Sequence, residues 1–361
     1  MKVFYIAETR LNNNSAYTHH VMKMCDAFVQ NDFETVLLLP FEKKISPTKI
    51  YKDYSLVGKN FFFVKSLLKR NIKNFFDRVV FGYKVTTFIS KFQESKLIVS
   101  RSLVSSIFLS LNKIDHILEI HSELKSLTKL LMINFNFINS RYVKKVVFIS
   151  KSLSKKFKIE KEKKLILHDG VDIKNFEEKI KKNSLKNVTY IGSFYKGRGI
   201  ELIIYLAKKF RNLNFNLYGN TSKYPKSKIS NLRIHGFIKY KDVPKLLLKS
   251  DILLMPYSKN VEVRAKGINT AEYCSPLKMF DYLAAGRIIV SSKLDGISEV
   301  LKHNKNAILV NNFDYKSWEK FIFELLNGKY NIKNIQKNSL KTARNFTWKK
   351  RAKKIIDTKG L

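Results

Sequence analysis

Short apolar runs alternate with helix-patterned segments along this whole chain, and that alternation constrains the fold more than any other feature. In the first half KVFYIA reads as a strand, AYTHHVMKMCDAFVQ as a helix and ETVLLLP as a strand. After a longer irregular stretch come KLIVSR, HILEIH and KVVFIS, each a buried-type strand leading into a helical candidate. Parallel strands need a crossover between them, and the crossover lays a helix on the sheet, so such runs imply parallel sheets covered on both faces.

A polar, Lys-rich stretch, DGVDIKNFEEKIKKNSLK, interrupts the pattern at Asp169 to Lys186 and marks a domain boundary. The alternation then restarts with NVTYIGS, IELIIYLAKKF, NFNLYGN, LRIHGF, DVPKLLLKS, DILLMPYS, PLKMFDYLAAG, RIIVSS and AILV. A chain of 361 residues suits about two domains of ordinary size. The fold class expected is α/β, with two Rossmann-like, doubly wound domains over residues 1–172 and 173–344. Their ligand-binding edges, at the carboxyl ends of the strands, are expected to face a central cleft.

The formal charge of +40 has two readings. Lys spread among Asn, Ile and Phe throughout the chain fits a biased base composition; a surface that meets anionic partners fits equally. No zinc-finger spacing, RNP-type run or basic zipper supports nucleic acid. The longest apolar runs, such as VLLLP, fall far short of the roughly 20 residues of a membrane span, and MKVFYIAE runs directly into a strand rather than a secretory leader. Two cysteines, Cys25 and Cys274, imply no disulfide framework, so a cytoplasmic location is the expectation. The segment Asn60 to Phe88 mixes Phe and Val at helical spacings with Lys and Arg. It reads either as a helix lying on an anionic leaflet or as a core-facing helix with a solvated basic face.

Two segments carry chemistry. In SPLKMFDYLAAG, Ser275 is a favoured N-cap and Pro276 suits the first turn. The open N–H groups there form an anion site, to which Lys278 adds charge, and Asp281 lies where a carboxylate can accept bonds from ribose hydroxyls. The bland alternative is a capped helix with a Lys278–Asp281 surface pair. In YIGSFYKGRGIELI, a strand ends at Gly192 and a loop with Lys196 and Arg198 leads into a helix, a phosphate cradle or simply a glycine-rich turn. It departs from a P-loop, since Arg198 and Gly199 stand where Lys and Ser/Thr would be.

These two segments, with HGFIKYKDVPKLLLKSDILLMPYS between them, FISKSLSKKF and LHDGVD before them and NFTWKKRAKKIID after, are similar in order and spacing to glycosyltransferase family 4, a group with the GT-B fold (glycosyl transferases group 1). The resemblance implies a retaining transfer of sugar from a nucleotide-diphosphate donor, with the donor on the second domain and the acceptor on the first. It implies that a last helix, about 345–361, packs back on the first domain. Lys196 matches the lysine that contacts donor phosphates, and Asp281 matches the ribose-binding position, usually Glu. Ser275, Pro276 and Leu277 would offer backbone N–H groups to the diphosphate, with Lys278 and Arg198 in support. Gly192 and Ser193 open the phosphate loop; Gly236 and Phe237 fall where the base binds. His121, at the carboxyl tip of its strand, matches a histidine near the transferred sugar, with Glu119 as a partner on the same strand.

Departures from the family pattern are equally specific. Eight residues before Asp281 stands Tyr273 rather than an acid, with Glu272 adjacent as a substitute. The basic residue of the first loop is replaced by Ser193, and the glycine pair of the first βα turn by Asn14, Ser15 and Ala16. His19, His20 and His168 gain nothing from the resemblance. With no D-x-D pair at a strand end, neither a metal nor a cofactor is expected; the nucleotide sugar is a substrate. The partners expected are that donor, a glycan or lipid-linked acceptor and an anionic membrane surface, with no nucleic acid. The reading is thus a transferase of polysaccharide, lipopolysaccharide or capsule biosynthesis, peripheral on the cytoplasmic face of the membrane. Two alternatives stay open: a non-catalytic basic protein on the same fold, and another sugar-nucleotide enzyme such as an epimerase.

Overall fold

The computed structural model describes residues 1–11, 15–43, 46–58, 62–176, 184–220, 228–261, 269–311 and 313–360. The chain divides into two compact units, residues 1–168 with 348–361, and residues 169–347. The division falls at Asp169 rather than at 173. Val171 pairs with Thr347 in a parallel bridge, and its N–H donates to the Phe346 carbonyl, so these residues belong to the second unit.

The first unit holds a parallel sheet of β1 (Lys2–Ile6), β2 (Glu34–Leu39), β3 (Phe63–Ser66), β4 (Lys96–Ser100), β5 (His116–Ile120), β6 (Val143–Phe148) and β7 (Lys164–Ile166), in the order β3-β2-β1-β4-β5-β6-β7. The second holds β8 (Asn187–Ile191), β9 (Asn214–Tyr218), β10 (Leu232–His235), β11 (Ile252–Met255), β12 (Ile288–Ser292) and β13 (Ile308–Val310), in the order β10-β9-β8-β11-β12-β13. Each sheet therefore reverses its winding once, between β1 and β4 and between β8 and β11, and doubly wound sheets bind ligands beside the carboxyl ends of the two strands at that reversal.

Burial on both faces explains why the strands read as continuous apolar runs. On β11, Ile252 and Leu254 point into one core with Val188, Leu217 and Trp318. Leu253 and Met255 point into the other with Phe280 and Ile289, as the two-residue period of a strand requires.

The segment Asn60 to Phe88 is not a single helix. Within its described residues, Phe63–Ser66 pairs with β2, as aromatic and β-branched residues favour, and the helix begins only at Phe75, where the Asn74 side chain accepts from Asp77 N–H. That helix, Phe75–Ser90, turns Phe81, Val85 and Ile89 into a core with Phe4 and Leu38. The core-facing reading therefore holds for its inner face, while Phe76 and Tyr83 stay exposed at 70% and 61%.

Candidate active site

In the second unit the loop after β8 packs on the loop after β11, at the reversal of the sheet. Gly199 has φ +76°, and a side chain there would meet the Pro256 carbonyl at 1.9 Å. A side chain at Gly192 would lie 2.8 Å from Lys278 Nζ, so that glycine leaves the space the ammonium fills.

Lys278 belongs to the Leu277–Ala285 helix. Its Nζ is buried, lies 3.8 Å from the centre of the Tyr190 ring and 5.3 Å from that of Tyr257, and has no hydrogen-bond partner among the described residues. The Arg198 guanidinium lies 4.9 Å from the same Tyr257 ring. Burial first, and then Arg198, hold the Lys278 ammonium well below its ordinary range. Two cations thus share aromatic walls, which attract them through the ring quadrupoles but supply no anion.

Lys196 is exposed, so the inward cation of the loop is Arg198, two residues further on. Ser193 is half-buried and its carbonyl accepts from the Tyr190 hydroxyl at 2.8 Å. Asp281 does not pair with Lys278. It is buried and accepts from the Tyr240 hydroxyl at 2.9 Å, which excludes the surface pair. Burial and that carboxylate push the Tyr240 phenol well above its usual range.

Ser275 is not the cap. Pro276 takes the cap position in extended backbone, Leu277 begins the helix, and no side chain caps the first turn. Pro276 lies at φ −72° and ψ 131°, outside the helical region, so Ser275 falls one position too early to cap. Glu272 is exposed, with its carbonyl accepting from Gly296 N–H at 3.0 Å. After β10, Gly236 has open space around it and Phe237 is 65% exposed. Beside them the rings of Tyr218 and His235 stack at 4.3 Å, closing β9 and β10 with an aromatic pair that the sequence reading did not single out.

In the first unit, Asn14 lies outside the described residues. Ser15 is spent locally: its Oγ accepts from Thr18 N–H and caps the Ala16–Val29 helix, whose first residue is the exposed Ala16. His121 follows β5, and its Nε2 lies 2.7 Å from Glu119 Oε1. The same oxygen lies 2.9 Å from His20 Nε2 and 2.6 Å from Arg351 Nη2, and Glu119 Oε2 accepts from the Tyr5 hydroxyl at 2.7 Å. Burial opposes the charge on Glu119, but Arg351, followed by the two histidines, holds it well below the usual carboxylate range. His121 is pushed down to about 3, by burial first and then by Arg101 and His20.

His20, Glu119 and His121 offer three ligand-type atoms close together. Their separations from the shared oxygen are those of hydrogen bonds. Ligands about 2.0–2.2 Å from a common ion stand more than 3 Å apart, so the arrangement is a hydrogen-bonded carboxylate. His20 and Arg351 were silent in the sequence because they reach Glu119 from distant helices.

Residues 185–328 match the family model described as glycosyl transferases group 1. The match lies wholly within the second unit. The match marks the chain as a glycosyltransferase. No curated protein matches it. Among solved structures it is similar to HepE of Anabaena in complex with UDP and glucose, at 13% identity and TM-score 0.72, over 100% of this chain and 99% of that one. It is similar to sucrose-phosphate synthase of Thermosynechococcus elongatus at 13% identity and TM-score 0.73, over 99% and 98%. WaaG, a glycosyltransferase involved in lipopolysaccharide biosynthesis, matches at 12% and TM-score 0.64, over 98% of both chains. At these identities the likeness is one of fold, and the fold is GT-B.

Proposed function

We propose that this glycosyltransferase moves a sugar, with retention of configuration, from a nucleotide-diphosphate donor to a glycan or lipid-linked acceptor of the cell surface. One observation carries the donor reading: the Lys278 ammonium is buried, has no hydrogen-bond partner among the described residues and stands beside Arg198. A second cation raises the cost of burying a charge unless an anion arrives. A diphosphate would meet both groups and the uncapped first turn of the Leu277–Ala285 helix. HepE, on the same fold, has been captured with UDP and glucose.

In the reaction, negative charge builds on the departing diphosphate as the sugar becomes oxocarbenium-like. Positive groups fixed in advance act most strongly there, because nothing reorganises at the moment of bond breaking. Lys278 and Arg198 take that role without a metal or cofactor. Asp281 holds the ribose hydroxyls and Phe237 meets the base. His121 faces the transferred sugar.

Work at the cytoplasmic face of the membrane is part of the proposal. No helix among the described residues is long and apolar enough to cross a bilayer. Phe76, Tyr83, Leu127, Leu130 and Phe135 are exposed, and Lys84, Lys125 and Lys129 among them are exposed too. Aromatic and aliphatic groups interleaved with cations suit an anionic leaflet. WaaG supports a cell-envelope acceptor by its part in lipopolysaccharide biosynthesis.

A thermal-shift screen against UDP, GDP, ADP and CMP tests the donor site. One nucleoside diphosphate should stabilise the protein, by about 2.7 kcal/mol at a hundredfold excess over Kd, and Lys278→Met should abolish the gain. No stabilisation by any of them, together with tight, salt-sensitive binding to polyanions, would leave the basic binding protein as the better reading. Flotation with phosphatidylglycerol and with phosphatidylcholine vesicles separates a membrane-seeking surface from compositional bias.

A further inference from the structure

We propose that Glu119, Arg351 and His20 are positioning residues that hold His121 as the neutral tautomer with its proton on Nε2, leaving Nδ1 to accept a hydrogen bond from a hydroxyl of the bound sugar. The proposal rests on the reading of His121 as a sugar-facing residue.

The geometry carries it. An ionised carboxylate can only accept hydrogen bonds, so each nitrogen within 2.6–2.9 Å of Glu119 Oε1 must bring a hydrogen, His121 Nε2 among them. Arg351 is a permanent cation. It is anchored by Nε donating to the His168 carbonyl at 3.1 Å, and it cancels the Glu119 charge. A further positive charge on His121 would go uncompensated among buried groups. The His121 ring is neutral on that ground, and one nitrogen is left bare. That nitrogen, Nδ1, has no partner among the described residues.

One member of the network opens outward. The side chains of Glu119, His20 and Arg351 are 0%, 2% and 3% exposed, whereas that of His121 is 20% exposed. The groups around the cluster come from every neighbouring element: Tyr5 on β1, His20 and Cys25 on the Ala16–Val29 helix, Arg101 after β4, and Arg351 and Trp348 on the Trp348–Ile356 helix. The His20 ring meets His121 edge-on at 4.6 Å and is itself backed by Trp348 at 5.2 Å, so a held ring stands against the His121 imidazole. A purely structural ion pair needs no such exposed end. A network meant to orient one nitrogen does.

The test uses the full-length protein labelled with 15N-histidine. A long-range 1H–15N correlation spectrum, with His121 assigned through its loss in His121→Gln, should show a pyrrole-type Nε2 and a pyridine-type Nδ1 from about pH 5 to 8, the range in which an unperturbed histidine titrates. An imidazolium at pH 6, or a proton on Nδ1, overturns the proposal. The spectrum needs no activity, so it stands whether or not a donor is found. Once the donor is known, Glu119→Gln, which keeps the shape and removes the charge, should lower kcat about 100-fold through misplacement of His121. The donor KM and the thermal shift with nucleotide should stay at wild-type values. An unchanged kcat in that variant also overturns the proposal. A correct tautomer in a protein that uses no donor would count against the transferase reading and leave the network standing.

Discussion

The two units bury charge in opposite ways. In the first, one carboxylate is met by an arginine, two imidazoles and a phenol, so that both of its oxygens are engaged. In the second, a lysine and an arginine share tyrosine faces, with no carboxylate near the lysine among its described contacts. A compensated cluster holds side chains in place. A lysine buried against aromatic faces waits for a ligand, because only an incoming anion recovers the desolvation of its charge.

The sharpest way to break this contrast is to remove a cation from each side. Arg351→Met should destabilise the protein by about 3–5 kcal/mol, since it strands the buried Glu119 charge; urea unfolding at neutral pH measures it. Lys278→Met in the ligand-free protein should do the reverse or nothing. If Lys278→Met is as damaging as Arg351→Met, the second cluster is a structural one.

Acid should expose the same asymmetry through the first unit. His116, buried between the Ser106 hydroxyl and the Ile114 carbonyl, is pushed down to about 4 by burial. Both states are neutral above pH 6.5, the native ring resists protonation below it, and the unfolded ring does not. Stability is therefore lost as pH falls from about 6.5 toward 4, by about 3 kcal/mol for His116. His121 acts in the same direction and further down, and Glu119 extends the loss below the ordinary carboxylate range. Denaturant midpoints at pH 7 and pH 5 should differ accordingly, and His116→Gln should flatten the difference.

Proton uptake sharpens the second half. An anion beside Lys278 favours its charged form, so nucleotide binding should take up protons at pH values above the free enzyme's Lys278 pKa, and affinity should fall as pH rises. Calorimetry in two buffers of different ionisation enthalpy measures this, and Lys278→Met should remove it. The smallest effect belongs to Lys196→Ala. An exposed side chain should change nucleotide binding by less than about 0.5 kcal/mol, whereas Arg198→Ala should weaken it severalfold.

Much of the architecture was legible in the residue pattern, and the failures have physical causes. The strands around the two reversals announce themselves because both faces are buried and the apolar run is continuous. β3 and β7 escaped notice because they are short outer strands whose residues are exposed or half-buried, with no such run. Ser275 is not the cap because Pro276 itself stays extended, at φ −72° and ψ 131°, which moves the helix start to Leu277. Lys196 and Arg198 were both legible as basic residues of the loop; which of them turns toward Tyr257 depends on how the loop lies against the one after β11.

The sequence by itself determined the class of fold, two parallel sheets with helices between the strands, because hydrophobic period and turn chemistry are local properties carried by neighbouring residues. It also determined that a glycine-rich loop and a proline-led helix would follow strands in the second half. Tertiary structure alone decided which charges are answered. Glu119 meets Arg351 across 232 positions of chain, and Lys278 is left with aromatic faces. Charge compensation is a sum over everything within a few ångströms, and no stretch of sequence contains that sum.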